Sequence, residues 1–149
     1  MRYVFIVFVI LSLTGLSRRS CAQTINEDPP VQITILADGK PVGPTPKVPI
    51  SSQTLTLTCQ LTPEAHQQHP ELDSQVIIKK AVINRVRGTT RVGFLNWSGS
   101  DNDLSISFAP AEAPGDRYII QIEDARIQYK NGTSVRLQKP IFYSISFRE

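Results

Sequence analysis

Apolar and polar residues alternate with a period of two along most of the chain. Val31, Ile33 and Ile35 alternate with Gln32 and Thr34. Such alternation puts successive side chains on opposite faces of a half-buried strand. Gln53 to Leu61 is the cleanest case. Leu55, Leu57, Cys59 and Leu61 share one face, and Thr54, Thr56, Thr58 and Gln60 share the other. Val76 to Val86 and Arg91 to Trp97 predict two more strands, and Leu104, Ile106 and Phe108 a third. Tyr118, Ile120 and Ile122 lie on one face of a later segment. Ala125, Ile127 and Tyr129 continue it with the parity moved by one, the effect of a β-bulge. Val135 and Leu137 begin a return strand, which Pro140 interrupts and Ile141, Tyr143, Ile145 and Phe147 complete.

Turn residues separate these segments. Asp38-Gly39 and Asn131-Gly132 are hairpin signals, because both residue types tolerate positive φ. Residues 41 to 49 hold four prolines, which supply no ladder donor and predict an edge or loop. Thr62 to Asp73 is polar and predicts a loop with room for one helical turn. No long stretch carries the 3.6-residue helical period. Seven or eight strands at sandwich-like spacing predict an all-β chain. The expected architecture is a single immunoglobulin-like antiparallel β-sandwich over residues 31–149, without a disulfide. Residues 23–30 read as a flexible lead-in.

The first 22 residues read differently. Met1-Arg2-Tyr3 precedes an uncharged apolar run from Val4 to Leu16, too short to span a bilayer as a helix. Ser20 and Ala22 then stand three and one positions before Gln23, the pattern of a secretory signal peptide cleaved after Ala22. The alternative is an uncleaved anchor held by Arg18 and Arg19, which would be the chain's one membrane contact. Those two arginines also argue against lipidation at Cys21. Cleavage leaves Cys59 as the one cysteine, on the apolar face of its strand. It is expected to be a buried, unreactive small hydrophobe. The expected location is the periplasm or the cell exterior.

This segment changes the meaning of the charge. The whole chain carries 16 Lys and Arg against 13 Asp and Glu, a formal +3. Arg2, Arg18 and Arg19 account for the excess, so residues 23–149 hold 13 of each sign. A neutral export product removes the global case for nucleic acid. What remains is a local run, Lys79, Lys80, Arg85, Arg87 and Arg91. It reads as charge protecting a sheet edge or as a docking surface for an acidic protein or glycan partner.

Candidate chemistry is sparse. His66 and His69, with Glu64 and Glu71, place imidazole near carboxylate. The spacing lacks the hydrolytic zinc pattern, so a solvated loop is expected and no metal. Ser100-Asp101-Asn102-Asp103 lacks the Gly and Glu of a calcium loop and reads as a turn. There is no nucleophile elbow and no phosphate loop. No catalytic residue and no cofactor are expected, and the chain reads as a non-enzyme. Asn96-Trp97-Ser98 and Asn131-Gly132-Thr133 match the N-glycosylation pattern, which has meaning only in a eukaryotic source.

Gly115-Asp116-Arg117-Tyr118-Ile119-Ile120-Gln121-Ile122-Glu123-Asp124-Ala125-Arg126-Ile127, the Asn131-Gly132-Thr133 hairpin and the strand Ile141 to Phe147 form a longer signature. It resembles the C-terminal β-sandwich domains of the GldM/PorM proteins of Bacteroidetes. Ile33 to Val42, with the turn Asp38-Gly39-Lys40-Pro41, looks like the opening of such a domain. Glu71-Leu72-Asp73 looks like its acidic lead into a core strand. The resemblance extends over about residues 31–147. It implies a bacterial envelope protein suited to protein-protein assembly. Members of that family are periplasmic shaft proteins of the gliding and type IX secretion motor, with further domains and a transmembrane helix. Motor function therefore does not carry over. The expected role is non-enzymatic binding of an envelope protein. The alternative is a carbohydrate-binding module or surface adhesion protein, with Trp97, Tyr118, Tyr129 or Tyr143 as stacking faces.

Overall fold

The computed structural model describes residues 27–43, 45–99, 103–107, 113 and 115–148. The expected signal segment, residues 1–22, lies outside these, as does most of the lead-in. The elements run in the order β1 (Val31–Ala37), β2 (Lys40–Pro41), β3 (Lys47–Pro49), β4 (Thr54–Leu61) and α1 (Pro63–Gln68). They continue as β5 (Leu72–Arg87), β6 (Thr90–Ser98), β7 (Asp103–Ser107), β8 (Asp116–Tyr129), β9 (Ser134–Arg136) and β10 (Ile141–Arg148). The chain is all-β, as its alternation predicts. The long strands are the expected ones; β2, β3 and β9 add only two or three residues each.

Hydrogen bonds join all ten strands into one curled sheet, with the path β2-β1-β4-β5-β8-β10-β3. β6 branches from β5, β7 from β4 and β9 from β8. Two separate sheets are therefore replaced by one continuous one. Its pairing is also not wholly antiparallel. The proline-rich segment supplies β3, which runs parallel to the end of β10 from Ser146 beside Lys47 to Arg148 beside Pro49. Prolines confine this segment to an edge, where half the ladder is optional.

The curl has a local cause in the two longest strands. On β5 the buried positions run Val76, Ile78, then Ala81 and Ile83. On β8 they run Ile120, Ile122, then Ala125 and Ile127. Both strands lose parity on the same rungs, at Lys79-Lys80 and Glu123-Asp124, where their register shifts. The sequence pattern shows the slip in β8; its counterpart in β5 is found only in the pairing. Edge partners change at the same place. β5 leaves β4 after Val76 and takes β6 from Lys80 onward. β8 exchanges β10 for β9. A paired irregularity that bends strands from one part of a sheet into another is the device that makes a corner. Charge covers its outer side. Lys80 Nζ lies 2.8 Å from Glu123 Oε2, and Arg126 Nε lies 3.4 Å from Asp124 Oδ1.

The inner face holds a single core. It joins Leu55, Leu57, Cys59 and Leu61 of β4 with Leu104 of β7, Ile83 of β5, Ile120 and Ile122 of β8, and Ile145 of β10. Tyr118 and Phe147 meet edge to face, their ring centres 5.0 Å apart. The turns form as their residues demand. Asp38 has φ 47° and Gly39 φ 76°. Asp38 Oδ1 also accepts from the backbone N–H groups of Gln53 and Thr54, tying the turn to β4. The polar stretch after β4 does hold one helical turn, α1, capped by Thr62 accepting from the Ala65 N–H.

Candidate functional site

The β5–β6 hairpin departs from the half-buried rule. Gly88, at φ 60°, starts a two-residue turn. The register then jumps from Val86 beside Arg91 to Arg85 beside Gly93, so Val92 is an extra residue on β6. Beyond this bulge Gly93 and Leu95 sit on the inner side, opposite Arg85 and Ile83. Phe94 sits on the outer side, opposite Asn84. Neither side is covered. Phe94 is 65% exposed and Leu95 46%. Only β5 pairs with β6, so among the described residues its other edge has no partner strand. β7 likewise pairs only with β4.

A cavity of about 280 Å³ opens between these two edges. Ile83, Arg85, Leu95, Ile106 and Tyr118 line it, with Gly93, Phe94 and Ser107. It falls just below the size range of small-molecule sites and suits one large side chain better than a whole ligand.

Nearer the hairpin turn lies an ion pair with one member fully buried. Asp116 is fully buried at the start of β8, and its carboxylate accepts from Arg87 Nε at 2.7 Å and Nη2 at 2.9 Å. Ala113 N–H donates to the same carboxylate at 3.2 Å, and Ala113 O accepts from Asp116 N–H at 3.0 Å. Arg87 holds the Asp116 carboxyl below its ordinary range, with smaller help from the Ala113 N–H and the charge of Arg85. The pair fixes the root of the hairpin to the turn before β8. Arg117 Nη2 donates to Gly88 O at 2.8 Å and braces the hairpin from the other side.

The five basic residues of the run do not form one stripe. Lys79 and Lys80 lie at the corner, and Lys80 is paired with Glu123. Arg85 lines the cavity, and Arg87 is bound to Asp116. Arg91 lies over the exposed ring of Phe94, 5.5 Å from its centre. The structure thus separates the lysines from the arginines, and adds Arg117 to the arginines. The runs Val92, Phe94, Leu95 and Trp97 carry the signal that points to this site. Large apolar residues on both parities mean a strand covered on both faces or on neither.

The other candidates are placed simply. His69 Nδ1 lies 3.4 Å from Glu71 Oε1, while His66 belongs to α1. Among the described residues no three His, Cys, Asp or Glu side chains group as a metal site. Residues 100–102 of the Asp-rich turn lie outside the described ones, and Asp103 begins β7. Cys59 is buried, and burial pushes its thiol up to about 11. Tyr118 is buried, and Tyr129 and Tyr143 pack on the core. Trp97 packs there too, with its ring against Gly99 so closely that a Cβ on Gly99 would meet it at 2.5 Å. Asn131 Oδ1 accepts from the N–H and hydroxyl of Thr133, within its own hairpin. Among the described residues no helix is long and apolar enough to cross a membrane. Comparison with protein-family models, with curated proteins and with solved structures finds no match.

Proposed function

We propose that this chain is an exported β-domain that binds another protein of the cell envelope and catalyses nothing. One observation carries the reading: among the described residues β6 has an edge with no partner strand and uncovered apolar side chains at the same place. Soluble domains blunt such edges, and one kept open is suited to strand addition. The bulge at Val92 blunts only the end near the turn, leaving residues 93–98 open. The resemblance to GldM/PorM C-terminal domains agrees with an assembly role in a bacterial envelope. Export rests on the N-terminal pattern, and the secreted chain then begins at Gln23, which N-terminal sequencing of the exported product checks. The carbohydrate-binding alternative draws less support, because Trp97 and the three tyrosines are engaged with the core or with Gly99.

Site-directed photo-crosslinking tests the reading. A photoreactive residue at Asn96 on β6 is expected to yield a discrete protein adduct in envelope extracts. The same residue at Gln32, exposed on β1, is expected to yield none. Equal adducts from both positions, or none from β6, count against it.

A further inference from the structure

We propose that the occupant of the β6 edge is β6 of a second copy of this chain, paired antiparallel about a two-fold axis at Asn96. The proposal rests on the protein-binding reading above and names the partner of that edge.

Backbone parity sets the register. Gly99 N–H donates to Lys79 O at 3.2 Å. In an antiparallel pair every second residue bonds the same neighbour. Gly93, Leu95 and Trp97 therefore turn their N–H and C=O groups toward β5, opposite Arg85, Ile83 and Ala81. Phe94, Asn96 and Ser98 turn theirs toward the edge that no described strand covers. The bulge at Val92 ends the regular edge on one side. A second β6 satisfies all three residues in one register. Asn96 lies opposite Asn96 of the second copy, and Phe94 lies opposite its Ser98. Each of these rungs exchanges two hydrogen bonds. A shift of two residues either way leaves one rung fewer.

Side chains and charge agree with a like strand. On the inner side Leu95, 46% exposed and lining the cavity, meets Trp97 of the second copy. On the outer side the large Phe94 meets the small Ser98. Gly93 to Gly99 carries no charge. A foreign strand finds nothing there to select it by charge, and a like strand meets nothing that repels it. Arg91 lies beyond the bulge. In this register it stands about ten residue spacings, or about 30 Å, from its counterpart along the strands. That is well beyond the screening length of about 8–10 Å at ordinary ionic strength. The two-fold axis closes the contact, so the product is a dimer with one continuous sheet and not a fibre.

The experiment uses the full chain carrying Cys21→Ser, which leaves the buried Cys59 as its one native thiol. Phe94→Cys, Asn96→Cys and Ser98→Cys are added singly, and oxidative linking is read on a non-reducing gel. Facing residues on a hydrogen-bonded rung have Cα atoms about 5.5 Å apart, within disulfide reach. Asn96→Cys is expected to link to itself. Phe94→Cys and Ser98→Cys are each expected to stay unlinked alone and to link when mixed. Amide exchange of the unsubstituted chain gives a second readout. Once dimers predominate, protection at Phe94, Asn96 and Ser98 is expected to rise about tenfold for a 100-fold rise in concentration, because the monomer fraction falls as the square root. Asn96→Pro removes an edge-facing donor without touching the β5 ladder and is expected to abolish that rise. Asn96→Lys, which sets like charges face to face on the axis, is expected to reduce it.

Equal linking of all three single variants is random collision and overturns the pairing. Exchange at these three residues that is independent of concentration overturns the second copy. Envelope extract then separates the two readings. Protection of the same amides by extract keeps strand addition with a foreign partner, and exchange that extract leaves unchanged overturns the protein-binding reading as well.

Discussion

β4 and β6 are strands of nearly equal length, and both are rich in large apolar residues. Their surroundings differ. β4 lies between β1 on one side and β7 and β5 on the other, and its four inner side chains are buried. Among the described residues β6 has β5 alone; Phe94 on one side and Leu95 on the other stay exposed, and only Trp97 packs on the core. Apolar content creates the same drive to leave water in both cases. Only β4 has neighbours that satisfy it. Phe142 on β10 is exposed to a similar degree, but β10 has partner strands on both edges, so β6 alone joins exposed apolar side chains to an edge that no described strand covers.

The contrast can be broken at several points. The largest expected difference is chemical. Cys59 on β4 has its thiol raised from 9.0 to about 11, so its thiolate fraction falls about 100-fold even before burial slows access. A native-state thiol label should modify Cys59 more than 100-fold more slowly than a cysteine placed at Asn96 on β6. Similar rates would mean that β4 opens readily. Stability should separate the strands next. Leu57→Ala removes a fully buried side chain and is expected to cost about 3 kcal/mol in urea unfolding. Leu95→Ala is expected to cost less than about 1 kcal/mol, because that side chain is already half in water. Comparable losses would show that β6 is part of the core.

The root of the β5–β6 hairpin offers an intermediate test. Asp116→Ala leaves Arg87 without its buried partner, a change costing about 3–5 kcal/mol where both charges are buried. Arg87 is half exposed and water takes up part of its charge, so about 2 kcal/mol is expected here. Hydrogen exchange in β6 should rise in this variant more than in β4. The smallest effect is on acidification. Arg87 lowers Asp116, and the N–H groups of Thr54 and then Gln53 lower Asp38, each from an ordinary 3.8. Folding thus favours the ionised forms, whose contribution is complete above the unfolded value and vanishes as pH falls through the lower folded one. The urea midpoint should be level from pH 7 to about pH 5 and drop below about pH 4. Asp38→Asn should flatten the part that belongs to β4, and Asp116→Asn the part that belongs to the hairpin.

Much of this comparison is written in the chain, but more of it for β4 than for β6. The alternation around Leu57 and the Asp38-Gly39 turn specify β4 and its inner face without help from elsewhere. The slip between Ile122 and Ala125 announces the bulge of β8. For β6, the mixed parity of Val92, Phe94, Leu95 and Trp97 is visible, yet it fits two opposite environments equally well. The basic run is legible as a run and misleading as a surface. Lys80 and Arg87 find acids 43 and 29 positions away, which no local pattern pairs.

The sequence by itself determined the strands, their turns and which side of most of them seeks the core. These depend on neighbours one to four residues apart, through side-chain alternation and the backbone preferences of Gly, Asn and Asp. Only the tertiary structure decided that the strands close into one curled sheet. It also decided that β3 runs parallel to β10, and that Asp116 captures Arg87. Above all it decided that β6 pairs only with β5 among the described residues and lies beside a cavity. Each of those outcomes depends on which distant segments become neighbours, and on how two long strands bend at the same rungs, which pairing alone establishes.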